Sequence, residues 1–326
     1  MAVPATAASR RTTSWAKHAV QRKVKVARWF RDRQVVLGTY GQKANSVEVW
    51  QMNANVEAAP VRLASTAVDG DVMDLVCLPD LDRIVYSFGD GALAITSPSL
   101  GAPVRTLRVH AGPITSIDAF EKRLDRICSV AVDGGLAISS LESGSIVSKW
   151  SASCGSLRAV AFSSPTTVVT GGISKRVALW DIRSPSSCDP VMTAACDSEL
   201  TSLCALVDEN MVVGGCLDGT LSVWDLRSGE CFEHRAVIGR HAVASAVWSI
   251  TSLPSRSGHV FSCGQDGRLS LTDIRSAMVI DEGGSDRDDL SIDMGAALNC
   301  VDLRPESVHD IVVGTDACAI AQVSLP

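Results

Sequence analysis

Short apolar runs cut off by turns of Gly, Asp, Asn and Ser recur along this chain at nearly even spacing. Three of them repeat one design: 177–183 (VALWDIR), 221–227 (LSVWDLR) and 269–275 (LSLTDIR), the last two opened by an Asp-Gly turn. Apolar and polar positions alternate within each run, which is strand periodicity, and Asp-Gly is the turn that joins two antiparallel strands. The first apolar residues of these strands align as Val47, Leu93, Leu136, Val177, Leu221 and Leu269, with a weaker seventh copy within 319–323. A unit recurring at such a spacing cannot bury its own apolar faces and must stack on copies of itself. Each step is long enough for four strands, so the pattern predicts seven four-stranded blades in a ring.

The last repeat offers three strands, at 298–303, 310–315 and 319–325. The segment Ala16–Gln21 is the expected fourth, and 23–30 alternates as the first strand of blade one. The fold class is therefore all-β: a seven-bladed WD40-type β-propeller closed by an N-terminal strand, which removes most exposed sheet edges. Residues 13–326 are assigned to the propeller and 1–12 to a disordered basic arm. The first 31 residues are rich in Arg and Lys and carry no acid before Asp32; an organelle transit peptide is likewise basic and poor in acids.

Composition agrees with sheets packed by aliphatic side chains, since 46% of the residues are hydrophobic and only 5% aromatic. No apolar run approaches the length of a membrane span, so no membrane insertion is expected. A net charge of -6 argues against a nucleic-acid partner, because phosphate binding needs a concentrated positive field. The eleven cysteines contain no C-x-x-C pair, and Cys77, Cys128, Cys204, Cys216, Cys263 and Cys300 sit singly in apolar strands. Buried free thiols behave as small hydrophobes and point to a reducing compartment, cytosol or nucleus. Neither metal nor cofactor is expected.

In a WD blade a His before the first strand, a Ser or Thr in the second, the turn Asp and a Trp in the third can form a buried hydrogen-bonded chain. Here the set is incomplete. His110, Ser129 and Asp133 meet Ser139 in place of Trp; His241, Ser262 and Asp266 meet Thr272; Asp218 and Trp224 lack the His. Trp180 with Asp181, then Asp225 and Asp273, complete the expected structural positions. A His-Asp-Ser reading as a catalytic triad fails because the three occupy one repeated structural slot. No phosphate-binding loop, H-E-x-x-H, G-x-S-x-G or EF-hand sequence occurs. No catalytic residue is assigned and no enzyme activity is expected. Gly171–Gly172 and Gly214–Gly215 are expected to permit close packing near the ring axis. The acidic stretch Asp281–Asp293 is a solvated loop between blades six and seven, or a docking loop for a basic partner.

The segments 70–75 (GDVMDL), 27–29 (ARW), Trp248 with 261–267 (FSCGQDG), and 313–317 (VGTDA) together resemble the family of the forty-three-kilodalton nucleoporin. The resemblance runs from about residue 16 to the end. It implies a non-catalytic scaffold of the Y-shaped outer-ring complex of the nuclear pore, in the nuclear envelope. The implied partners are an α-solenoid nucleoporin of the short arm and neighbouring propellers, with the chain a monomer inside a hetero-oligomeric assembly that supports protein and mRNA transport. Partner contacts are expected on upper-face loops beside Asp71, His110, Asp133, Asp218, His241 and Asp266. A second reading rests on the D-x-R endings at Arg183, Arg227 and Arg275, which are similar to those of substrate receptors of cullin-four ubiquitin ligases. There these arginines would anchor an adaptor; otherwise each pairs with its neighbouring Asp.

Overall fold

A computed structural model describes residues 13–325, apart from 121–124, 152–154, 184–188, 228–232, 243, 254–255, 276–289, 305–306 and 308. The proposed arm at 1–12 therefore lies outside the described residues, as does 281–289 of the acidic stretch. Among the described residues twenty-eight strands form seven antiparallel sheets of four. Six blades use consecutive strands. The first begins at Val24 and the sixth ends at Asp293. The first strands of successive blades touch one another all the way round the ring and so line its axis.

The seventh blade takes Leu298–Leu303, Asp310–Thr315 and Ala319–Ser324 from one end of the chain and Ser14–Ala19 from the other. Ser14 pairs with Ser324 and Ala19 with Ala319. This borrowed strand lies two residues earlier than the sequence reading placed it. Val20 N–H already turns to the carbonyl of Cys318, and the chain bends at Gln21 and Arg22 to enter blade one. Further bonds hold the closing seam. Trp29 N–H donates to Asp302, Arg33 to Asp310 (3.0 Å), the Asn299 amide to the Val24 carbonyl, and Tyr40 to Asp316.

The aligned apolar residues all lie in third strands and are buried, with Ile320 as the seventh. Middle strands are buried on both faces because blade packs on blade, as in the Ala92–Thr96 and Thr220–Asp225 strands. Outermost strands have one covered face, and Val61–Val68 alternates accordingly. Opposite the aligned residue stands Gly38, Gly171, Gly215 or Gly314 in four blades. A Cβ on Gly38 would lie 2.5 Å from Val72, and one on Gly215 2.7 Å from Val247, each at the start of the next blade's first strand. These glycines thus let the next blade's first strand approach closely. Of the acidic stretch, Ser291–Asp293 is the fourth strand of blade six and no part of a loop.

Candidate interaction faces

Strand direction sorts the candidate residues onto two faces. Turns between second and third strands, and crossovers between blades, share the upper face. It carries Asp71, His110, Asp133, Asp218, His241 and Asp266. Loops that follow third strands share the lower face, which carries Arg183, Arg227 and Arg275. The candidate partner residues therefore cannot form a single contact patch.

On the upper face blade six holds the fullest polar tie. His241 Nδ1–H donates to Asp266 at 2.9 Å, and Nε2 accepts from the Ser262 hydroxyl at 2.9 Å. An ionised carboxylate only accepts, and this fixes the tautomer. Asp266 also accepts the N–H groups of Ala242 and Arg268. Blade three repeats the arrangement more loosely. His110 Nε2 meets Ser129 at 2.9 Å, but Nδ1 stands 3.4 Å from Asp133 and makes no hydrogen bond. Burial pulls the His110 pKa below its ordinary value. In both blades the serine is 0% exposed, so its hydroxyl meets no substrate. Blade four keeps the other half of the chain, with Trp180 Nε1–H donating to Thr170 Oγ1 at 2.9 Å. In blade five Trp224 packs over Gly214, which stands in the hydroxyl position, while Asp218 accepts from Thr220. Asp71 is engaged internally as well, taking bonds from Gly41 N–H and the Asn45 amide.

On the lower face Arg183 and Arg227 each fold back on the Asp two residues earlier. The Arg183 guanidinium meets Asp181 at 2.6 Å, and that of Arg227 meets Asp225 at 2.9 Å. The bonds from Arg183 hold the Asp181 carboxyl below its usual range. Arg275 departs from this pattern: its backbone N–H bonds Asp273, and its guanidinium reaches Ser257 of its own blade and Glu209 of blade five.

Sequence reasoning missed a charged belt within the channel. Asp74 accepts from Ile117 N–H, Asp118 from Phe162 N–H and Asp302 from Trp29 N–H, each at 2.8 or 2.9 Å, so one blade's carboxylate holds the next blade's first strand. Burial raises Asp118 and Asp302 to about 6. Burial works against the charge of Arg28, yet Asp302 and Asp74 keep it protonated. Isolated acids in apolar strands carry no periodic signal, and only the ring brings them together. Glu48, buried among Arg22, Ser46 and the Trp50 indole, was missed for the same reason.

The upper face also exposes apolar side chains in a row. Val132, Ile173 and Leu217 occupy the same turn position in blades three, four and five and are 39–48% exposed. Among the described residues no helix is long and apolar enough to cross a membrane, and no group of three His, Cys, Asp or Glu could hold a metal ion.

Residues 187–225 match the family model described as WD domain, G-beta repeat. The chain is 24% identical to nucleoporin Nup43 of Mus musculus and 23% identical to that of Homo sapiens, in each case over 71% of this chain. The chain is a seven-bladed WD-repeat propeller similar to Nup43. The match spans 66% of the length of both Nup43 proteins. Mitochondrial division protein 1 of Neurospora crassa is 24% identical over 55% of this chain and 35% of its own length. Segments 70–75 and 313–317 sit at blade seams. In 70–75, Val72 packs against Gly38 and Asp74 bonds blade three; in 313–317, Asp316 bonds Tyr40 and Asn299.

Proposed function

We propose that this propeller is a non-catalytic scaffold nucleoporin at the nuclear pore. It docks on an α-solenoid nucleoporin in the short arm of the Y-shaped outer-ring complex, beside other propellers, and so supports protein and mRNA transport. The similarity to Nup43 over most of the ring carries this reading. A closed ring suits the role, because its loops are held on a frame that loses little freedom on binding. The sealed serines of blades three and six support a role without catalysis. The apolar row Val132, Ile173 and Leu217 is the docking edge, since an exposed patch of this kind marks an interaction surface. The arginines of the lower face finish strands and, at Arg275, reach the neighbouring blade.

Two variants of a tagged chain test the reading by co-purification. Arg227→Ala with Arg275→Ala should leave outer-ring nucleoporins bound. Val132→Asp, Ile173→Asp and Leu217→Asp together should lose them while the fold is kept. Recovery of a ubiquitin-ligase adaptor with the wild type, lost only in the arginine variant, would reverse the assignment.

A further inference from the structure

Cys196 and Cys216 stand together at the seam between blades four and five, with their sulfurs 3.5 Å apart. Their separation of twenty residues hides the pair in the sequence. Cys196 follows the outermost strand of blade four, Met192–Ala195, and Cys216 ends the second strand of blade five, Met211–Cys216.

The seam position of Cys196 has counterparts elsewhere in the ring. Its N–H donates to the Lys175 carbonyl in the turn of the preceding blade, at 2.9 Å. His110 and His241 make the same bond, to the carbonyls of Gly91 and Gly219. Where blades three and six place an imidazole to tie the crossover to the second strand, blade five places a thiol facing a second thiol.

We propose that Cys196 and Cys216 are a disulfide-forming modification site that reacts with hydroperoxides. Cys196 is partly exposed and Cys216 is buried, which suits them to the roles of attacking and resolving sulfur. The Ser198 N–H and the Ser222 hydroxyl lie beside the Cys196 sulfur. The hydrogen bond from Cys216 holds the Cys196 pKa below its ordinary value, and the same contact together with burial raises that of Cys216. A low thiol pKa with access to solvent is the condition for attack on peroxide.

The chemistry balances in two steps. The Cys196 thiolate attacks one peroxide oxygen, the O–O bond breaks, and the departing oxygen takes a proton to leave as water, or as an alcohol from an organic peroxide. The Cys216 sulfur then attacks the sulfenic sulfur of Cys196 and loses its proton, and the hydroxyl leaves as a second water. Two thiols are oxidised by two electrons and the peroxide is reduced by two. The product joins blade four covalently to blade five. A dithiol reductant reverses it by exchange.

The test uses the native full chain and hydrogen peroxide. After brief exposure at neutral pH, remaining thiols are alkylated and the chain is cut at Glu199, Asp208 and Glu209, which separate the two cysteines. The expected product is a Cys196–Cys216 linked peptide pair, formed before any other cysteine is consumed and dissolved by dithiothreitol. Cys196→Ser should slow oxidation of the chain at least about tenfold. Cys216→Ser should leave Cys196 reactive and trapped as the sulfenic acid by a dimedone probe. If Cys216→Ser fails to fold, the linked wild-type peptides still decide. Preferential linkage of other cysteines, or a Cys196 thiol that survives while buried ones are consumed, would overturn the proposal.

Discussion

His241 and His110 fill the same slot in different blades but are not held alike, and the difference can be measured. Asp266 takes bonds from His241, Ala242 and Arg268, whereas Asp133 takes them from Ala111 and Gly135 with His110 at 3.4 Å. Asp266→Ala should cost about 2–3 kcal/mol in denaturant unfolding and Asp133→Ala about 1 kcal/mol; equal losses would contradict the geometry. Asp118 makes a pH prediction. Its native pKa is about 6 and its ordinary value 3.8. Between these values the native state keeps a proton that the unfolded chain has released, so this group withdraws stability as pH rises through the window and has no further effect above it. Asp118→Asn cannot titrate, and it loses one acceptor at a constant cost. Its stability relative to wild type should therefore rise by about 2 kcal/mol between pH 4 and pH 7, and a flat difference would refute the shift. The slots of His110, His241, Asp133 and Asp266 were legible because they recur at fixed offsets from the turn. Asp118, Asp302 and Cys196 were not, since their partners come from neighbouring blades.

At the level of elements, third strands were the most legible feature, because their apolar residues are opened by turns and repeat in register. The closing strand was foreseen but placed at Ala16–Gln21 instead of Ser14–Ala19. Alternation alone does not fix where a strand bends away, and the bond from Val20 to Cys318 does. Blade six hid its outermost strand inside an acidic stretch, because Ser291–Asp293 buries only Ile292 deeply. Removing residues 1–12 should leave the Tm unchanged. Removing 1–21 strips the edge from Ala319–Ser324 and loses the His18 bond to the Val56 carbonyl; it should lower Tm by several degrees or cause aggregation. Equal Tm values for the two truncations would show that the strand does not close the ring.

For the whole molecule, seven blades close into a disc whose seams are tied by carboxylates, close glycine contacts and the thiols of Cys196 and Cys216. Such a disc presents two faces of different chemistry, an apolar row on one and Asp-paired arginines on the other. The ring was legible from spacing alone, whereas the division of candidate residues between faces required the strand directions. Scaffolding at the pore is the central claim, and the location of the chain in its own cells tests it most directly. A fluorescently tagged chain expressed at its natural level and imaged together with an outer-ring nucleoporin should give a punctate nuclear rim that coincides with that marker. A diffuse signal, or one at another organelle, would contradict the account.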